Sequence, residues 1–154
     1  MDSQSGPTAP EPAAQPAVLV SACLLGVACN HRGEGRPHPA VLALGASVRL
    51  IPVCPEVAGG LPTPRPSAER GPDGRVRSVD GDDVTAFYER GAAHAVSVAR
   101  ATGSKRAVLK ARSPSCGSGQ IYDGSHRRLS RDGDGVTTEA LRAAGVQVVS
   151  EEDL

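Results

Sequence analysis

Aromatic side chains are almost missing: Phe87, Tyr88 and Tyr122 are the only three in 154 residues. A stacking platform for single-stranded RNA or DNA needs more π-faces than that, and the core has to be built of Val, Leu, Ala and Ile. Net charge is missing as well. The 17 basic and 17 acidic residues cancel, so nothing points to a nucleic acid, a membrane surface or a polyanion as an obligatory partner. No run approaches the roughly 18 apolar residues that read as a membrane span. The first residues lack the basic start and apolar stretch of a secretory signal. A cytoplasmic location with reduced thiols is therefore expected, and cysteines there are more often metal-binding or catalytic than crosslinked.

What is present is an alternation of short apolar runs with helical patterns. Residues 1–16 carry Pro7, Pro10, Pro12 and Pro16 among Ser, Ala and Gln, the composition of a disordered tail. Residues 17–154 are expected to form a single domain. Strands are predicted at about 17–22, 48–53, 106–110 and 146–149, with a short one at 75–79. The first is apolar on both faces, as a buried parallel strand should be. Helices are predicted at 37–46, 84–101 and 137–144. Pro37 suits a first helical position, and Asp82 or Asp83 could cap the second helix. Along that helix Val84, Phe87, Tyr88, Ala92, Ala95, Val96 and Ala99 fall at helical spacing and read as a core stripe. Residues 55–74, rich in Pro and Gly, read as a long ordered loop, and 123–134 as polar turns. Strands alternating with helices argue for an α/β fold, a three-layer sandwich around a mostly parallel, Rossmann-like sheet.

Three of the four cysteines sit just past the apolar runs. Cys23 follows Val18-Leu19-Val20-Ser21-Ala22, Cys54 follows the run ending at Val53, and Cys116 lies in Ser113-Pro114-Ser115-Cys116-Gly117-Ser118-Gly119. On parallel strands these thiols converge at the carboxyl edge of the sheet, where open α/β sheets bind ligands. Four readings follow. Each cysteine can be a small buried hydrophobe. Cys23, Cys29, Cys54 and Cys116 can close a zinc site, although no CxxC-like pair is present. One thiolate can act as a nucleophile in sulfur transfer. Three thiolates can hold an iron–sulfur cluster with one iron left open. Glu56, two residues from Cys54, is a candidate general base or acid. Ser113 and Ser115 can orient a polar substrate or simply make a turn. Gly117 and Gly119 would let backbone approach a ligand. Among His31, His38, His94 and His126, only His31, in the first cysteine loop, is kept as a site candidate. Arg127, Arg128 and Arg131 cluster in the late loop, within reach of a phosphate or solvent.

Three motifs in this order are similar to one small bacterial family. They are Val20-Ser21-Ala22-Cys23-Leu24-Leu25-Gly26; Val53-Cys54-Pro55-Glu56-Val57 with Gly59-Gly60-Leu61-Pro62-Thr63-Pro64-Arg65; and Lys110-Ala111-Arg112-Ser113-Pro114-Ser115-Cys116-Gly117. The chain from about 18 to 154 resembles the thiouracil desulfidases, long catalogued as domain of unknown function 523. The match includes Asp80-Gly81-Asp82-Asp83-Val84-Thr85 and Ile121-Tyr122-Asp123-Gly124. One departure is local: many members carry Arg-Tyr-Asp-Gly where this chain has Asn30-His31-Arg32-Gly33.

The resemblance implies a [4Fe-4S] cluster bound by Cys23, Cys54 and Cys116, with one open iron and Cys29 outside the ligand set. It implies Glu56 and Ser113 as catalytic residues and Ser115 as a substrate-binding group. The implied reaction is non-redox removal of sulfide from a small thiolated base or its nucleotide. The competing expectation is a non-catalytic metal-thiolate protein, holding zinc or a cluster for structure or sensing.

Overall fold

The computed structural model describes residues 15–154. The tail expected over 1–16 lies outside the described residues up to position 14. Pro16 is described, and its carbonyl accepts from the Arg49 N–H at 2.9 Å.

In chain order the elements are β1 (Ala17–Ser21), α1 (Pro39–Leu44), β2 (Arg49–Val53), α2 (Pro55–Ala58), β3 (Ala68–Arg70) and β4 (Val76–Ser78). They continue with α3 (Thr85–Thr102), β5 (Arg106–Leu109), β6 (Gln120–Tyr122), β7 (Ser130–Asp132), α4 (Val136–Ala143) and β8 (Gln147–Ser150). Four strands form one all-parallel sheet in the order β2-β1-β5-β8. Strand β1 is central and every residue in it is buried, which explains its unbroken apolar run. Strand β2 is an edge and contains Pro52, opposite Val20; a proline, lacking an N–H, is tolerated there.

Alternate residues of the sheet feed two cores. On one face Leu19, Val53, Ala107, Leu109 and Val148 pack with Ala95 and Ala99 of α3 and Leu141 of α4. On the other, Val18, Val20 and Val108 pack with Val41 of α1 and with Leu24. Helices on both faces complete the expected three layers. Leu19 and Leu109 are fully buried, each contributing about 1.5–3 kcal/mol by removal from water. The chain moves from β1 to β2 on one side and to β5 and β8 on the other. The strand order therefore reverses beside β1, and the crevice outside the carboxyl ends at such a reversal is the usual ligand position.

Three local expectations are corrected. The stretch 55–74 is not loop throughout: it holds α2 and β3. Pro55 pre-sets the first turn of α2, and β3 exists because it pairs with β4, a tertiary event. The polar stretch 123–134 contains β7, which pairs with β6 and carries no apolar alternation to betray it. The predicted aspartate cap stands one residue outside α3: Val84 occupies the N-cap, and Asp83 Oδ1 accepts from the Thr85 N–H at 3.0 Å and hydroxyl at 2.6 Å.

Candidate functional site

Each of the three central strands delivers a cysteine at its carboxyl end. Strand β1 runs directly into a 3-10 segment, Ala22–Leu25, which carries Cys23. Strand β2 hands over to α2, with Cys54 at its N-cap. Strand β5 feeds the loop containing Cys116. Because the strands are parallel, Cys23, Cys54 and Cys116 line one cavity of about 610 Å³, together with Cys29, Glu56 and Ser113.

Hydrogen bonds fix the Cys116 loop. Ser113 Oγ accepts from the Cys116 N–H at 2.6 Å and the Ser115 N–H at 3.2 Å. Thr138 Oγ1 donates to the Cys116 carbonyl at 2.9 Å. Ser115 is fully buried, its hydroxyl 2.9 Å from Thr137 Oγ1 and accepting from Cys116 Sγ at 3.7 Å. It stands behind Cys116 rather than on the cavity wall. Gly117 serves the loop rather than the cavity: a Cβ there would meet Ile121 Cγ2 at 2.6 Å and the Ser113 carbonyl at 2.8 Å.

Glu56 is held from two sides. Arg65 Nε donates to its Oε2 at 2.9 Å, and the Tyr88 hydroxyl donates to the same oxygen at 3.3 Å. The Arg65 side chain is 3% exposed and that of Glu56 17%. Arg65 also donates to the Cys29 carbonyl at 2.8 Å and to Thr63 Oγ1 at 3.0 Å. The Cys54 thiol donates to that same Cys29 carbonyl at 3.6 Å. One guanidinium thus joins the loops of Cys29, Glu56 and Thr63. Close approach of α2 to α3 makes this possible. Gly91 faces the Pro55 carbonyl so tightly that any Cβ would overlap it.

Burial raises the thiols. The Cys23 thiol is pushed up to about 11, burial outweighing the opposing pull of Lys110. Burial, with the neighbouring Cys54, pushes Cys29 to about 12, and burial pushes Cys116 to about 12. Without a cation bound, these groups are neutral thiols at pH 7, not the activated thiolates of a reactive cysteine. Burial also pushes the Tyr88 phenol well above its ordinary range, reinforced by the Glu56 charge, so it is a hydrogen-bond donor. His31 on the cavity wall is lowered by burial and by Arg32, and is neutral at pH 7.

Among the described residues, no three His, Cys, Asp or Glu side chains stand close enough to hold a single metal ion. Three thiols spread around a cavity suit a larger body than one ion, and thiolate is the usual donor to iron–sulfur clusters. Lys110 and Arg65 lie beside the thiols and would offset the charge of thiolates there. The donor set therefore fits a cluster better than a point charge.

The structure gathers Cys23, Cys54, Cys116, Glu56, Ser113, His31 and Arg128 at this cavity. It leaves His94 exposed on α3, His38 off the wall, and Arg131 bonded to the Arg70 and Gly71 carbonyls. Asn30 organises the divergent first loop: its Oδ1 accepts from Glu34 N–H at 2.7 Å and Arg32 N–H at 3.0 Å. Two site residues escape the sequence reading, Arg65 and Tyr88. Tyr88 is 2% exposed. A buried tyrosine in a stripe of alanines needs a hydroxyl partner, which is the signal that was there to read.

Comparison with known proteins agrees with this geometry. The chain is 36% identical over 146 residues to the uncharacterised protein YbbK of Bacillus subtilis (strain 168), covering 89% of this chain and 97% of that one. A solved structure of a [4Fe-4S]-dependent thiouracil desulfidase, TudS, is 47% identical, with a TM-score of 0.85 over 91% of this chain and 93% of that one. The family model described as 2-thiouracil desulfurase matches residues 18–153. The chain belongs to the 2-thiouracil desulfurase family.

Proposed function

We propose that this protein is a non-redox desulfidase that removes sulfur, as sulfide, from a thiolated pyrimidine base or its nucleotide. The observation that carries the reading is the convergence of Cys23, Cys54 and Cys116 on one cavity that also presents Glu56. These three cysteines would hold a [4Fe-4S] cluster. When bound by three thiolates, such a cluster keeps one iron open and supplies a Lewis acid for the thiocarbonyl sulfur.

The protein's own groups account for the rest. Glu56 takes a proton from water, whose oxygen forms a bond to the thiocarbonyl carbon. The C–S bond breaks, and the proton leaves with the sulfur. One C–O bond replaces one C–S bond and no electron is gained or lost. Ser113 Oγ accepts two backbone N–H bonds, which leaves its own proton to donate to the pyrimidine. Ser115 supports the loop from behind. His31, neutral, can accept or donate one hydrogen bond. Arg32, Arg36 and Arg128 on the wall would meet a nucleotide's phosphate, and the low aromatic count fits a small molecule better than a nucleic acid strand.

The test is anaerobic reconstitution with iron and sulfide, then assay of sulfide release from 4-thiouracil and 4-thiouridine monophosphate. Four irons per chain with turnover, both lost in Cys116→Ser, is the expected result. Tight zinc binding with no cluster would sink the mechanism. The contact of Cys54 with the Cys29 segment favours a second reading, a closed metal-thiolate site. In that case Cys29→Ser destroys metal binding, whereas the desulfidase retains its cluster.

A further inference from the structure

The two oxygens of Glu56 are not equivalent. Arg65 Nε and the Tyr88 hydroxyl both donate to Oε2, at 2.9 and 3.3 Å. Among the described residues nothing donates to Oε1, although Glu56 lines the cavity. Neither donor is free to swing away. Arg65 is anchored at the same time to the carbonyls of Cys29 and Pro62 and to Thr63 Oγ1. Tyr88 is on the buried face of α3, next to the Gly91 contact with α2.

We infer that Arg65 and Tyr88 are positioning residues that commit Oε2 of Glu56 to the scaffold and leave Oε1 as its single proton-exchanging oxygen. The inference rests on the reading of Glu56 as the base. A carboxylate free to rotate would offer either oxygen from many angles. Two donors on one oxygen remove that freedom before substrate arrives, which is what a precisely held base requires. Arg65 adds a second constraint. Through the Cys29 carbonyl, which it shares with the Cys54 thiol, it ties the position of Glu56 to the position of one cysteine of the cavity. Lysine cannot replace it, because a point charge with one nitrogen cannot serve Glu56, Cys29 and Thr63 together.

Tyr88→Phe and Arg65→Lys test this in two ways. In the metal-free protein, the ¹³C resonance of the Glu56 carboxyl, assigned by its loss in Glu56→Gln, should move in Tyr88→Phe while the unfolding temperature stays close to that of the parent. An unmoved resonance overturns the inference for Tyr88 without reference to activity. In the reconstituted enzyme, Tyr88→Phe should lower kcat about tenfold, the scale of one hydrogen bond to a charged group, with KM held within about twofold and iron content unchanged. Arg65→Lys should lower kcat further. Both losses should vanish when each substitution is added to Glu56→Gln, because residues that act through one group are not additive. Losses that persist in the Glu56→Gln background mean the residues act elsewhere and overturn the inference. Glu56→Gln with parental turnover would instead remove the base reading, and the carboxyl resonance then still decides whether the two donors hold Oε2.

Discussion

Gly91→Ala should destabilise the protein, against helix propensity. Position 91 lies inside α3, where alanine is normally favoured over glycine by about 0.8–1.0 kcal/mol. Here the new methyl overlaps the Pro55 carbonyl oxygen, with its carbon at 2.6 Å and the Pro55 Cα at 3.0 Å. All three are backbone atoms, so no rotamer change relieves the clash and α2 must retreat. Overpacking of this kind costs about 1–3 kcal/mol, and the propensity gain offsets only part of it. A net loss of about 1–2 kcal/mol remains, or about 2–8 °C in Tm for a chain of this size. The exposed substitution Ser97→Ala in the same helix is the control and should change little. Because α2 carries Glu56 and follows Cys54, a retreat on the order of 1 Å should also lower turnover by up to about 100-fold. Thermal unfolding of the metal-free protein reads the first effect, and kcat of the reconstituted enzyme the second. A raised Tm in Gly91→Ala would refute the reasoning, because it would mean that α2 yields freely and that the α2–α3 contact does not set the position of Glu56.

Other expected outcomes are more compact. Cys23→Ser, Cys54→Ser and Cys116→Ser should each fail to retain iron after reconstitution, whereas Cys29→Ser should retain it, as counted by iron and acid-labile sulfide. Ser113→Ala removes the acceptor of the Cys116 and Ser115 N–H groups and should cost about 1 kcal/mol, read by urea unfolding, with weaker iron retention than the parent. Asp83 is held low by the Thr85 hydroxyl and N–H and by Arg75, with its carboxyl at about 2 against an ordinary 3.8. A depressed carboxylate stabilises the fold above its ordinary value and loses that contribution as pH falls through the folded value. Asp83→Asn should therefore be less stable than the parent at pH 7, and the difference should close between pH 4 and pH 2 in urea titrations.

Much of this architecture is legible in the residues. The apolar runs that became β1, β2, β5 and β8 read as strands because burial on both faces imposes an uninterrupted pattern. The placement of Cys23, Cys54 and Cys116 just beyond those runs already implied a common edge, since parallel strands all end on the same side. Less was legible where pairing partners are distant. Strands β3 and β7 are three residues each and carry no apolar alternation, so only their antiparallel partners create them. Ser115 reads in the sequence like Ser113, yet one lies behind Cys116 and the other on the cavity wall. A one-residue step around a tight turn decides that, and composition does not encode it.

The sequence by itself determined the layers of the fold and the three thiols at one edge, because local periodicity and strand direction suffice for both. Only the tertiary structure decided how Glu56 is held. Its restraints come from Arg65, nine positions on, and Tyr88, thirty-two positions on. Those groups meet because Gly91 lets α2 lie against the backbone of α3, a contact set by excluded volume between segments distant in the chain.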